Sequence, residues 1–181
     1  MSTNKIDILI IRGAPASGKS QTAKSLTKYF PKGVRMEIDN LRSMVISVDW
    51  TNQSEHINIL NLSTRLVNDF LQLGFSPVII IDTFSGDKIV NYHKMLKSIN
   101  NELIIETFGL YTNEEKLKIR LDMREDNFFK DFSICKKLNA DTVKFKFENE
   151  IQIDTTDLIS DNTAKKIYEE IMKNTSSQQR L

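Results

Sequence analysis

Eight consecutive residues, Gly13-Ala14-Pro15-Ala16-Ser17-Gly18-Lys19-Ser20, carry two glycines, a lysine and a serine at the spacing G-x-x-x-x-G-K-[ST]. These residue types at this spacing bind phosphate. The glycines allow backbone angles and a close approach that a Cβ would hinder. Backbone N–H groups of a loop that opens a helix converge on one anion. The lysine reaches the β- and γ-phosphates, and the serine hydroxyl ligates Mg²⁺. The flanks meet the motif's own requirement, because Ile6–Ile11 is apolar apart from Asp7 and reads as a buried strand. After Lys19, Ala23, Leu26 and Phe30 fall at helical spacing. A nucleoside triphosphate bound along Gly13–Gln21, with Ser20 on the metal, is the expectation. Further on, Asp39 with Arg42, the pair Asp82-Thr83, and Arg120 with Arg124 offer acids and cations that a phosphate site could use.

The elements that must bring these residues together are legible in outline. The first helix is expected to run to about Phe30 and stop at Pro31-Lys32-Gly33. Val34–Ile38 reads as a strand, and Asn40–Ser47 as a helix with Asp39 near its cap. After a loop at Asp49–Asn52, Ser54–Leu73 is an amphipathic helix. Its apolar face is Ile57, Leu60, Leu66, Val67, Phe70 and Leu71, and Gly74 caps it. Pro77–Ile81 is an apolar strand delivering Asp82, and Asp87–Ile99 a helix burying Ile89, Tyr92, Leu96 and Ile99. Glu102–Leu110 is the fourth strand. Asn113 caps a helix through Leu117, Arg120, Leu121 and Arg124, with Glu114 and Glu115 in its first turn. In Asp126–Asn149, Phe128, Phe129 and Phe132 read as a short packed helix followed by a polar turn. Glu150–Asp154 is the last strand and Ser160–Met172 the last helix, with Ala164, Ile167, Tyr168 and Ile171 on one face. Alternating strands and helices predict parallel crossovers and a sheet covered on both faces. Ligands of such sheets sit at the carboxyl ends of the strands, where Ser20, Asp39 and Asp82 are delivered.

The phosphate loop, D-x-x-R at 39–42, the apolar strand ending in Asp82-Thr83 and the pair Arg120/Arg124 occur in that order over residues 6–125. In this the chain resembles the P-loop kinases of the polynucleotide 5′-kinase type, with the related small-molecule phosphotransferases and zeta-toxin sugar-nucleotide kinases. The resemblance implies a three-layer α/β/α fold around a mainly parallel five-stranded sheet. It implies transfer of the ATP γ-phosphate to an acceptor hydroxyl. Asp39 would take the hydroxyl proton and Arg42 would hold a phosphate or other anion of the acceptor. Asp82 would hold Mg²⁺ or brace Arg42. Lys19 with Arg120 and Arg124, the arginines in a lid, would spread transition-state charge. Many family members have Asn after Asp-Thr; Phe84 here departs from that. The leading acceptor is the 5′-hydroxyl of a short nucleic acid or nucleotide, followed by a small molecule such as an antibiotic or sugar nucleotide. ATP is the default donor, with GTP open: Asn4-Lys5-Ile6-Asp7 matches the guanine-reading string of GTPases but precedes the phosphate loop. A nucleotide-binding regulatory module is the alternative from another class.

Length, composition and charge bound the rest. The 181 residues are expected to form one kinase domain over 1–175, with a lid at about 113–135 and a flexible tail at 176–181. A formal net charge of +1 gives no electrostatic case for a long nucleic-acid footprint. A single cysteine, Cys135, rules out an internal disulfide and reads as a buried or incidental thiol. With no signal-peptide pattern in MSTNK and no apolar run of membrane-spanning length, a cytoplasmic protein without a membrane partner is expected. His56 and His93 read as surface or packing residues, and Trp50 either covers an acceptor base or sugar or packs. Lys144 and Lys146, alternating with Phe145 and Phe147, read as a small nucleic-acid contact or a strand edge.

Overall fold

The computed structural model describes residues 6–126 and 128–178. The MSTNK start and residues 179–181 of the expected tail therefore lie outside it. Five strands are β1 (Ile8–Arg12), β2 (Val34–Glu37), β3 (Val78–Asp82), β4 (Ile105–Tyr111) and β5 (Ile151–Asp154). Seven helices are α1 (Lys19–Leu26), α2 (Ile38–Ser43), α3 (Gln53–Gln72), α4 (Lys88–Ile99), α5 (Glu114–Asp122), α6 (Phe132–Lys144) and α7 (Ser160–Gln178). The sheet order is β2-β3-β1-β4-β5, and every pair is parallel.

Period-two alternation along β1 builds both cores at once. Ile8 and Ile10 join Ile59, Leu60, Ile80, Tyr92 and Leu96 on the face covered by α2, α3 and α4. Leu9 and Ile11 join Ala23, Leu26, Phe108, Ile167 and Ile171 on the face covered by α1 and α7. The fold is thus three layers, α/β/α, with β1 fully buried at the centre. Tyr168 of α7 stacks on Tyr29 with ring centroids 4.5 Å apart.

Local chemistry sets the boundaries. Asn113 accepts from Lys116 N at 2.8 Å and opens α5. At the end of α3, Gly74 has φ 83, and Phe75 N returns to Phe70 O as in a Schellman turn. Three expectations need correction. The second helix is α2, Ile38–Ser43, and not Asn40–Ser47: it starts at the fully buried Ile38, and Asp39 falls in its first turn, near the Glu37 cap as expected. The segment after Asp126 holds the thirteen-residue helix α6, capped by Asp131, whereas Phe128 and Phe129 stay half exposed before it. Helix α7 continues past Met172 to Gln178, through the start of the expected tail. Among the described residues no helix is long and apolar enough to cross a membrane.

Candidate active site

Residues 13–20 leave the carboxyl end of β1 and turn into α1. Gly13, at φ 151, has no room for a side chain: a Cβ would run into the Leu110 carbonyl and lie 2.7 Å from Ser17 Oγ. Ala16 and Gly18 take left-handed angles, φ 66 and 98, and Gly18 caps α1 without a side-chain bond. Ala14, Pro15 and the other loop residues lead into the first turn of α1, whose N–H groups have no intrahelical partner. Lys19 bridges its own loop, donating from Nζ to Ala14 O at 2.8 Å. Burial pushes its ammonium down to about 8, against the pull of Asp82 and Asp39. Ser17 Oγ is buried without a partner. An under-neutralised lysine, an orphaned hydroxyl and a side-chain-free cradle fit a polyphosphate.

Oxygen ligands stand beside the loop. Ser20 Oγ donates to Glu37 Oε2 at 2.7 Å, so the carboxylate ending β2 points at the hydroxyl expected on the metal. The sequence reading passed over Glu37. Asp82, buried at the end of β3, takes His56 rather than Arg42 as its partner, with Nε2 to Oδ2 at 3.1 Å. His56 itself is buried on α3, which corrects its assignment as a solitary surface or packing residue. Asp39 lies within electrostatic reach of these groups: its carboxyl is raised above the ordinary range by desolvation first and Asp82 second, opposed by Lys19, Arg42 and His56. Ser20 with Glu37 or Asp82 supplies the hard oxygen donors that suit Mg²⁺, an ion usually held by few protein ligands and completed by phosphates and water. No three His, Cys, Asp or Glu side chains among the described residues form a closed metal cage.

The two arginines expected in a lid part company. Arg120, on α5, donates to Thr155 Oγ1 at 3.0 Å and to Thr155 O at 2.6 Å. Thr155 Oγ1 in turn meets Ser17 O at 3.0 Å, so Arg120 acts on the phosphate loop through Thr155. Arg124 lies beyond the end of α5, within electrostatic reach of Lys19 and Asp39. It bonds Phe129 O at 3.0 Å and lies 4.9 Å from the Phe128 ring centroid. Arg42 also departs from expectation. It is 6% exposed, donates from Nη2 to Asp49 O at 3.1 Å, and lies 4.7 Å from the Trp50 ring centroid.

Beneath the loop is a cluster that the sequence reading missed. Arg12, last in β1, is fully buried and donates from Nε to Glu150 Oε2 at 2.8 Å. Its other nitrogens reach the carbonyls of Phe84, Thr142 and Phe145. Phe84, with φ 43, is therefore a buried residue of the loop after Asp82 and not an acceptor contact. Residues 144–147 complete a helix end and a turn, not a strand edge. His93 pairs with Thr107 Oγ1 at 2.8 Å, and burial pushes it down to about 4.

No family profile matches the chain, and no curated protein is significantly similar to it. Solved structures are. An unliganded sugar kinase from a Janibacter species is 14% identical over 90% of this chain and 92% of that one, with a TM-score of 0.66. The tunicamycin resistance protein of Deinococcus radiodurans is 18% identical over 92% and 96%, with a TM-score of 0.64. A chain of the Pnkp1/Rnl/Hen1 RNA repair complex is 25% identical over 78% of this chain and 47% of its own length, with a TM-score of 0.62. With the sheet order above, these likenesses establish a P-loop kinase fold.

Proposed function

We propose that this chain is an ATP-dependent kinase that phosphorylates the hydroxyl of a small-molecule acceptor. The observation that carries the proposal is the convergence of Lys19, Asp39 and Asp82 at the carboxyl ends of three strands, where Asp82 acts on both the Lys19 ammonium and the Asp39 carboxyl. Phosphoryl transfer needs positioning and charge neutralisation above all. The loop 13–21 with Lys19 binds the donor phosphates, and Arg124 adds positive charge on the same side. Ser20 with Glu37 or Asp82 would hold Mg²⁺, which would supply charge neutralisation at the phosphates. The acceptor oxygen attacks the γ-phosphorus as the bond to the β-phosphate oxygen breaks. Its proton passes to Asp39, whose raised pKa suits a base, and ADP leaves. Lys19 is held ready by a bond to Ala14 O that phosphate can replace.

A small acceptor is preferred because Arg42, the residue that would clamp an acceptor phosphate, is turned into the protein. The likeness to the RNA repair complex favours a second reading, a nucleic-acid 5′-hydroxyl. Labelled ATP with Mg²⁺ and an acceptor panel of nucleosides, sugars, antibiotics and 5′-hydroxyl oligonucleotides tests both. Asp39→Asn should lower transfer by about 10²-fold or more and keep nucleotide binding. Undiminished transfer in that variant would remove Asp39 from the mechanism, and bound ATP with no acceptor phosphorylated would leave only a nucleotide-binding module.

A further inference from the structure

Trp50 is the one tryptophan of the chain, and it is half exposed in the connection between α2 and α3. That connection begins at the end of the short helix carrying Asp39 in its first turn and Arg42 in its last. The indole is held from several directions. Arg42 stacks over one face at 4.7 Å, and its Nη2 is fixed on the carbonyl of the preceding residue, Asp49. The Asp49 carboxylate locks the following residue, accepting from Thr51 N at 2.9 Å and Thr51 Oγ1 at 2.7 Å. A buried arginine and a side-chain-closed turn thus hold this ring, which is half open to solvent. The same connection exposes Met44 and Ile46.

Charge on this side disfavours a strongly anionic acceptor: of the cations in reach of Asp39, Lys19 is bonded to its own loop and Arg124 to Phe129 O. Glu37, Asp39 and Asp82 are acidic, and the nearby cation of α2, Arg42, presents no Nε–Nη2 edge: Nη2 is engaged and Nε is buried without a partner. The side-on bidentate geometry by which arginine captures phosphate is therefore unavailable there. Arg42 instead acts as a backing for Trp50, one helical turn from the proposed base.

We infer that the acceptor is an uncharged alcohol bearing a flat aromatic ring, and that the ring stacks on the open face of Trp50 while its hydroxyl reaches Asp39. This rests on the kinase reading above. Nucleosides and aryl-substituted diols share this chemistry, and the two arms of the test separate them.

Because Trp50 is the sole indole, its emission reports the site directly. The full chain, with ADP and Mg²⁺, is titrated with adenosine, uridine and a phenicol antibiotic, and with gluconate, shikimate and adenosine 3′-monophosphate as ring-free or charged controls. The expected result is saturable change of the emission by a neutral ring-bearing alcohol and none by the sugar acids. With that alcohol as acceptor, Trp50→Leu should raise KM about tenfold or more with a smaller change in kcat, and Trp50→Phe should restore KM to within about threefold, as stacking on an aromatic face predicts. Saturable emission change without phosphoryl transfer would keep the stacking site and remove the kinase reading. Transfer to gluconate or shikimate with unchanged emission, or to adenosine 3′-monophosphate whatever the emission does, would keep the kinase and overturn the inference, as would equal KM in the leucine and phenylalanine variants.

Discussion

Replacing Glu150 by Gln tests whether the buried pair beneath the phosphate loop holds the fold. Both side chains of the Arg12–Glu150 bridge are wholly inaccessible to solvent, at 2.8 Å. Arg12 donates to three carbonyls besides, so it has no route to solvent once its counter-charge is removed. Breaking a buried pair on one side costs about 3–5 kcal/mol, because the surviving charge is left uncompensated. For a chain of this length about 1 kcal/mol moves the midpoint by roughly 2–4 °C. Glu150→Gln should therefore lower the midpoint by roughly 6–20 °C in thermal unfolding followed by circular dichroism. Gly109→Ala attacks the same pair without touching its charges. A Cβ there would run into Glu150 Oε1 and lie 3.1 Å from its Cδ, and the carboxylate cannot yield without losing Arg12. The double variant Arg12→Met with Glu150→Leu should be more stable than either single change. A loss below about 1 kcal/mol for Glu150→Gln, or a double variant no better than the singles, would refute this account of the pair.

Two further outcomes follow from the site and its helices. Lys19 has its ammonium lowered from 10.5 to about 8 by burial. The unfolded chain thus holds the proton more tightly between those values, and the cost of the buried charge is fully present below about 8 and fades as pH rises toward 10.5. Phosphates restore the charge, so nucleotide affinity should fall up to about tenfold per pH unit above 8 and binding should take up a proton there. Calorimetry in buffers of different ionisation enthalpy would show this near pH ~9 but not near ~6.5, and no buffer dependence at the higher pH would mean a lysine already charged. Separately, Asn113→Ala removes the cap of α5, whose Oδ1 accepts from Lys116 N at 2.8 Å; urea unfolding should register a loss of about 1 kcal/mol.

What the sequence reveals follows how locally each feature is specified. The phosphate loop is legible because anion binding demands glycine, lysine and serine at fixed separations, and the strand and helix around it carry their own periodicity. Arg12 and Glu150 are illegible because they meet across 138 positions, and each alone reads as a charged residue at a strand end. Helix α3 fails in a different way. Counting apolar residues selects Ile57, which is 49% exposed, and omits His56 and Ser63, which are buried. They can be buried because His56 meets Asp82 and Ser63 meets Tyr92 at 2.6 Å, and a polar group that is paired loses its desolvation penalty. The Lys144–Phe147 alternation misleads likewise: Phe147 stacks on His93, and the Phe145 carbonyl accepts from Arg12, two partners distant in sequence.

Sheet order, rather than chain order, divides the labour of the site. Because β1 sits between β3 and β4, its loop is flanked by two sets of groups with different duties. On the β3–β2 side stand Asp82, Glu37 and Asp39, acidic groups with His56 and Arg42 behind them. On the β4–β5 side stand Glu150, which closes on Arg12 over the side-chain-free Gly109, and Thr155, which joins Ser17 O to Arg120. The first set holds the raised Asp39 carboxyl; the second is closed by the buried Arg12–Glu150 pair and the Thr155 bonds. A carboxylate can keep a raised pKa only where its neighbours are held in place, and a loop carrying left-handed Ala16 and a lysine depressed to about 8 is such a neighbour only if something fixes it. The buried arginine on one side of the phosphate loop thus supports the setting in which the carboxyl proposed as base, Asp39, is raised on the other.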